Sequence, residues 1–183
     1  MIIYTLDLVK DYIAKTKAIE VKDGLSELMM GQPIAEADAL EYWDKKIPKE
    51  INDRFGRLIK LGDAVFDSLF KDPDTGKKVK EPENFNESRA KRLPWIAYTL
   101  KNTDQVYELS EKDWITYFYT LSFVVKYKDK ITGEPKTNID NYLIVTKKKA
   151  GTPIQFVTAY NPDTRLELLK KICKARPYNH TSL

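Results

Sequence analysis

The feature that most constrains this fold is a change in sequence periodicity near residue 104. Trp114–Lys128 alternates aromatic, threonine and β-branched residues, which is typical of a long strand. Shorter apolar runs favour strands over residues 105–109, 141–146 and 154–160. Because the connections are short, neighbouring strands are expected to be antiparallel. The second half of the chain therefore predicts a small antiparallel sheet of about four strands.

The remaining segments favour helices, so the predicted class is α+β with N-terminal helices before the sheet. Apolar residues recur at helical spacing over 4–15, 35–47 and 48–69, and again over 86–100, where Pro94 predicts a break. A closing C-terminal helix is predicted over 164–175. A turn-rich connector at 71–84 suggests two parts, a helical region over 1–80 and a sheet domain over 81–183.

Charge is distributed unevenly along the chain, whose net charge is +4. Residues 1–74 contain 11 lysines and arginines against 15 acidic residues, a net charge of −4. The remaining residues contain 20 against 12, a net charge of +8. A basic half indicates an anionic partner, for which nucleic acid is the first candidate, although a solvated lysine-rich surface has the same composition.

Composition also restricts the cellular setting. No apolar run approaches the roughly 20 residues that cross a bilayer, and Asp7 and Asp11 interrupt any signal-peptide core. The single cysteine, Cys173, cannot form an internal disulfide, and with one histidine, His180, it cannot complete a Cys/His zinc site. These features predict no membrane partner and a location in the cytoplasm.

Several catalytic signatures are missing from the sequence. It contains no glycine-rich phosphate loop, no Gly-x-Ser-x-Gly elbow and no His-Glu-x-x-His helix. The predicted sheet region also lacks the paired acidic motifs that a two-metal nuclease requires. An enzyme built on this half is therefore expected to work without a metal or another cofactor.

Two stretches carry a resemblance to a known group. Residues 89–108 read Arg-Ala-Lys-Arg-Leu-Pro-Trp-Ile-Ala-Tyr-Thr-Leu-Lys-Asn-Thr-Asp-Gln-Val-Tyr-Glu, and residues 156–162 read Phe-Val-Thr-Ala-Tyr-Asn-Pro. They resemble the basic helix, first strand and last strand of the phage branch of the barnase–EndoU–colicin–RelE nucleases. Domains of this group occur in phage Mu-like head morphogenesis proteins and in bacterial toxins. The resemblance covers about residues 85–175, and Thr103 stands where the group often has proline.

The resemblance implies metal-independent endoribonuclease activity, in which the ribose 2′-OH attacks the adjacent phosphate. Its substrate would be RNA, with tRNA among the candidates. Because His180 lies beyond the closing helix, arginine, lysine, tyrosine and threonine would have to supply the chemistry. The expected catalytic residues are Arg89, Arg92, Thr158, Lys126 and Tyr117. The expected RNA-binding residues are Lys91, Lys128, Lys147, Lys148 and Lys149.

Two alternatives remain open at this point. The chain could be a phage head-associated or nucleic-acid-binding protein that keeps the fold without cleaving RNA, since a fold does not determine chemistry. In that case association with a phage particle is expected. The acidic N-terminal helices could also bind an immunity or partner protein, or cover the basic half of the same chain.

Overall fold

The computed structural model describes residues 18–21, 25, 28, 33–70, 79–129, 131–160 and 172–178. Within these segments the chain forms an α+β fold in which eight strands make one mixed sheet, accompanied by four helices. The strands are β1 Ile19–Glu20, β2 Glu50–Asn52, β3 Leu58–Lys60, β4 Gln105–Ser110, β5 Trp114–Lys128, β6 Pro135–Lys149, β7 Ile154–Tyr160 and β8 Arg176–Pro177. The helices are α1 Glu36–Lys46, α2 Ala64–Asp67, α3 Glu87–Ala90 and α4 Leu93–Asn102.

The expectation of a small four-stranded sheet preceded by helices is wrong. The predicted helix over 48–69 is instead an antiparallel hairpin, β2–β3, followed by the single turn of α2. Each strand of the hairpin buries only its central residue, and these two residues, Ile51 and Ile59, pair with each other. Their spacing along the sequence also fits a helical stripe, so periodicity alone does not distinguish the two structures. The predicted boundary near residue 80 stays a prediction.

The sheet order is β2-β3-β7-β6-β5-β4-β8, and β1 pairs with β5 beyond the end of β4. The contacts between β3 and β7 and between β1 and β5 are parallel, whereas the others are antiparallel. The sheet is mixed because β3 reaches β7 from a distant part of the sequence, so no tight turn sets their direction. The first-half hairpin thereby extends the sheet formed by the second half.

The hairpin of β5 and β6 forms the centre of the sheet. The predicted strand Trp114–Lys128 is confirmed with those bounds, whereas β6 is longer than predicted and begins at Pro135. Side chains alternate between the two faces of a strand, so the register divides the sheet into two faces. We call the face that carries Tyr119 and Phe123 the helix-covered face, because it shares one core with α1 and α4. The other face, which carries Phe118 and Leu143, is called the second face.

Aromatic packing joins α4 to the helix-covered face. The Trp95 ring stacks on Phe123 with 4.2 Å between centroids, and its indole nitrogen donates to the backbone carbonyl of Leu25 at 3.0 Å. The predicted helix over 86–100 is divided into α3 and α4, and Pro94 lies in the first turn of α4, where its missing donor costs little.

The second face has a smaller core. Tyr107, Phe118 and Leu143 pack there with Ile172 and Ala175 from the C-terminal segment. That segment ends in β8, which pairs with β4. Most of the predicted closing helix over 164–175, and the whole of the predicted helix over 4–15, lie outside the described residues. In the part of the chain that the structure describes, no helix is long and apolar enough to cross a membrane.

Candidate functional site

The loop between β2 and β3 is organised by one buried carboxylate. Asp53, whose side chain is 0% exposed, accepts hydrogen bonds from the backbone N–H groups of Phe55 at 2.9 Å and Arg57 at 2.8 Å. Gly56 takes a φ of +77°, a conformation that glycine adopts at no steric cost. Arg54 donates its backbone N–H to Leu100 at 3.0 Å, which fixes the loop to the end of α4.

Arg57 extends from this loop to the helix-covered face of β5. Its Nε and Nη2 both lie 2.7 Å from Asp53 Oδ2, and Nη2 donates to the Tyr119 hydroxyl at 2.8 Å. The Tyr119 hydroxyl in turn donates to Asp53 Oδ2 at 2.8 Å. Burial by itself would lower the pKa of Arg57, but Tyr119 and Asp53 outweigh it and raise that pKa. The arginine is thus a fixed cation.

Aromatic rings surround the Arg57 guanidinium. Its carbon lies 4.0 Å from the ring centroid of Tyr178, 4.4 Å from that of Tyr117 and 5.4 Å from that of Phe55. These distances are in the range of cation–π attraction. Tyr178 is held there by its backbone N–H, which donates to Val106 at 2.7 Å. Arg57 Nη1 is buried and has no hydrogen-bond partner among the described residues, so one donor of this cation is unused.

Glu108 completes the group from the neighbouring strand. It lies directly opposite Tyr117 in the β4–β5 pairing, so both side chains are on the helix-covered face. Its carboxylate is 11% exposed and lies 2.5 Å from the exposed guanidinium of Arg176. Burial, and secondly the Glu108 charge, raise the pKa of Tyr117. We call Asp53, Arg57, Glu108, Tyr117, Tyr119, Arg176 and Tyr178 the arginine–tyrosine cluster.

This cluster combines two carboxylates, three phenols and two guanidinium groups. A carboxylate can accept a proton, a phenol with a raised pKa stays protonated and can donate one, and guanidinium groups bind phosphate oxygens. Among the described residues, no group of three or more His, Cys, Asp or Glu side chains is arranged to hold a metal ion. The chemistry that these groups can supply themselves is acid–base catalysis at an anionic centre.

Of the five predicted catalytic residues, only Tyr117 belongs to this cluster. Arg89 donates to the Ser68 carbonyl at 2.8 Å, and its pKa is lowered by burial. Arg92 forms an ion pair of 2.6 Å with Asp140. Both arginines therefore have partners within the protein.

The other two predicted catalytic residues are separated from the cluster. Thr158 pairs with Val145 on the second face, opposite to the face that carries Tyr117. Lys126 lies near the other end of β5, where its ammonium is exposed and 3.5 Å from Glu20. The predicted set does not converge on one site.

The predicted RNA-binding lysines are also spread over the sheet. Lys91 forms an ion pair of 2.6 Å with Glu87, and Lys128 is exposed at the end of β5. Residues 147–149, which lie beyond the strand predicted over 141–146, are the last residues of β6 and pair with the first residues of β5. Alternation places Lys147 and Lys149 on the second face and Lys148 on the helix-covered face.

Sequence reasoning missed Asp53, Arg57, Arg176 and Tyr178. Residues 53–57 read Asp-Arg-Phe-Gly-Arg, in which an aspartate followed by a glycine three residues later is a turn signal. That signal is enough to predict the turn. It gives no indication of the partner Tyr119, which is 62 positions from Arg57.

In comparisons with known proteins, the chain matches no protein-family model, no curated protein and no solved structure.

Proposed function

We propose that this protein is a metal-independent endoribonuclease whose reaction takes place at the arginine–tyrosine cluster. The proposal is carried by one observation: Arg57, with a buried donor that has no hydrogen-bond partner among the described residues, lies against the ring of Tyr117, which is paired with Glu108 across the sheet. Cation, acid and base are thus neighbours on one sheet face. The sequence resemblance to metal-independent ribonucleases is an independent argument for the same class of reaction.

The proposed reaction is an internal transfer at the phosphate. Glu108 accepts the proton of the ribose 2′-OH while the 2′ oxygen attacks phosphorus. The bond from phosphorus to the 5′ oxygen breaks, and that oxygen receives the phenol proton of Tyr117. Arg57 and Arg176 stabilise the negative charge that builds up on the phosphate oxygens. The products are a 2′,3′-cyclic phosphate and a 5′-hydroxyl end.

The surroundings of Arg57 suit the stabilisation of a phosphate, provided that one neighbouring side chain moves. Asp53 and Tyr119 hold the guanidinium in a fixed orientation, so it needs no reorganisation when charge develops. Because Nη1 is buried, a phosphate can reach it only if a neighbouring side chain moves. We expect this to be Tyr178, the ring closest to the guanidinium. A cytoplasmic location would give such an enzyme access to RNA.

The test is cleavage of end-labelled RNA, including tRNA, by the purified chain in excess EDTA. We expect fragments that end in a cyclic phosphate, and no cleavage of the same sequence as DNA. Glu108→Gln and Tyr117→Phe should each lower the rate by about 100-fold or more. The matched control is Arg54→Ala, because Arg54 belongs to the same loop but is exposed and ion-paired with Asp104.

Two results would overturn the proposal. One is the absence of cleavage of every RNA tested, although the protein is folded by circular dichroism. The other is cleavage by Glu108→Gln and Tyr117→Phe at the wild-type rate.

A second candidate function is nucleic-acid binding without cleavage. It is favoured by the ion pairs of Arg92 with Asp140 and of Lys126 with Glu20, which engage two of the predicted catalytic cations. Under this alternative the chain binds RNA with an affinity that falls as salt rises, and the RNA is recovered intact. The same cleavage assay, combined with a binding measurement, distinguishes the two candidates.

A further inference from the structure

A row of side chains crosses the second face near the start of β5. Trp114 is paired with Lys149, and Thr116 is paired with Lys147, which is itself paired with Gln155 of β7. Paired residues of antiparallel strands present their side chains on the same face, and residues two apart in one strand do so as well. All five side chains therefore lie on the second face. We call them the lysine–tryptophan row.

The tryptophan of this row differs from the other two in the chain. Trp114 is 41% exposed, whereas Trp43 and Trp95 are 2% and 0% exposed. Indole has a large apolar surface, which folding normally buries, and the other two tryptophans lie in the main core. An exposed ring on a sheet face offers a flat surface on which another ring can stack.

The two lysines of the row are available for an anionic ligand. Neither Lys147 nor Lys149 forms an ion pair with any of the described residues. The next position across the sheet, Lys60, differs because its ammonium lies 3.5 Å from Glu50. Of these three lysines on the second face, the two without a carboxylate partner among the described residues are thus the two close to Trp114.

We propose that the lysine–tryptophan row binds single-stranded RNA, with a base stacked on Trp114 and phosphates at Lys147 and Lys149. That the bound strand is RNA rests on the proposed ribonuclease function, whereas the binding site itself does not, because the row lies on the opposite face of the sheet from the arginine–tyrosine cluster. Stacking on an aromatic side chain combined with lysine contacts to the backbone is how proteins hold single strands without reading their sequence.

A single strand fits this row better than a duplex does. The bases of a duplex are already stacked on each other, so none of them presents a free ring to Trp114. Lys147 and Lys149 are two residues apart in one strand, about 7 Å along its axis, which allows them to contact neighbouring phosphates of an extended strand. The site is thus expected to prefer unpaired RNA.

Because Trp114 is exposed, its fluorescence can report directly on binding of an RNA probe. The probe is a 2′-O-methyl oligouridine of roughly 12 nucleotides, a length in the range of single-strand binding sites. It has no free 2′-OH, so the proposed reaction cannot cleave it. Because the other tryptophans are buried, stacking on Trp114 should quench the tryptophan fluorescence of the protein. Trp114→Phe should abolish the quenching and keep most of the affinity.

Affinity measured by fluorescence anisotropy tests the remaining contacts. Trp114→Ala is expected to weaken binding of the labelled probe at least about fivefold, the lower limit for loss of one stacked base. Lys147→Ala and Lys149→Ala should each weaken binding and reduce the slope of log affinity against log salt by about 0.7. Lys148→Ala is the matched control, since it removes the same charge from the opposite face.

The outcomes separate this inference from the proposed function. If no quenching occurs, if Lys148→Ala weakens binding as much as its two neighbours do, or if a duplex of the same length binds equally well, the inference is wrong. If the probe binds as described but no RNA is cleaved, the ribonuclease proposal fails and the binding site stands. If RNA is cleaved and the variants of the lysine–tryptophan row bind and cleave like wild type, the ribonuclease proposal stands and the inferred binding site is wrong.

Discussion

Asp53 receives hydrogen bonds from both the backbone N–H and the guanidinium of Arg57, so a single carboxylate closes the β2–β3 hairpin and orients the arginine. The carboxylate is fully buried, and the backbone N–H of Phe55 and the hydroxyl of Tyr119 donate to it as well. The geometry of the hairpin and the geometry of the candidate site therefore depend on the same group.

Asp53→Ala is expected to destabilise the protein strongly. Removing one partner of a buried ion pair leaves the other charge buried and uncompensated, which costs about 3–5 kcal/mol of unfolding free energy. Urea unfolding followed by circular dichroism measures this loss. The control is Asp104→Ala, which removes an exposed partner from Arg54 and should cost at most about 1 kcal/mol. Equal losses in the two variants would contradict the structural role of Asp53.

The substitution Arg92→Ala tests whether Arg92 stabilises the fold or binds phosphate. Its guanidinium and the Asp140 carboxylate are 15% and 12% exposed, and they lie 2.6 Å apart. We expect Arg92→Ala to lower the unfolding free energy by about 3 kcal/mol, because Asp140 loses its buried partner. Urea unfolding and RNA affinity should be measured on the same sample. Unchanged stability with lost affinity would instead support the phosphate contact predicted from sequence.

The strands could be predicted best where aromatic and β-branched side chains recur at every second position over many residues. In Trp114–Lys128 the aromatic and β-branched residues alternate throughout, and the strand has the predicted bounds. The three-residue strands β2 and β3 bury one side chain each, which is too short a pattern to exclude a helix. The strand predicted over 141–146 stops short of the lysines at 147–149, because their polarity conceals the continuation of β6.

The candidate site could be predicted only in part, for a topological reason. Tyr117 was found because it lies in the long aromatic strand. Arg57 and Tyr178 are not indicated by the sequence, because one lies in the short β2–β3 loop and the other in the C-terminal segment. Both contact Tyr117 because β3 and β8 join the same sheet as β5. No local pattern in the sequence encodes pairings between such distant segments.

Gly56 is expected to be the least replaceable residue of the β2–β3 loop on conformational grounds. Its φ of +77° is disfavoured for residues with a Cβ, although nothing lies within 4 Å of the position that a Cβ would occupy. Gly56→Ala should therefore lower the unfolding free energy by about 1–2 kcal/mol through backbone strain alone. Gly56→Asn should cost less, because asparagine tolerates this conformation. If thermal melts show equal losses for the two variants, strain is not the cause.

Alkaline pH is expected to unfold this protein through its buried tyrosines. Burial is the largest cause that raises the pKa of Tyr119 and of Tyr142 above the ordinary value of 10.0. Below about pH 10 both states keep these phenols protonated, so stability does not depend on them. Above it the unfolded chain loses protons that the folded chain retains, and each phenol lowers the unfolding free energy by about 1.4 kcal/mol per pH unit.

The measurement is a spectrophotometric titration of tyrosinate beside thermal melts at pH values on either side of 10. We expect fewer than the 11 tyrosines of the chain to ionise before the melting temperature collapses. Tyr142→Phe removes one buried phenol whose hydroxyl, among the described residues, makes one long contact of 3.4 Å, to the Arg92 carbonyl. This variant should therefore lose less stability between pH 10 and 11 than wild type does. A wild-type melting temperature that stays constant across this range while all tyrosines ionise would contradict the prediction.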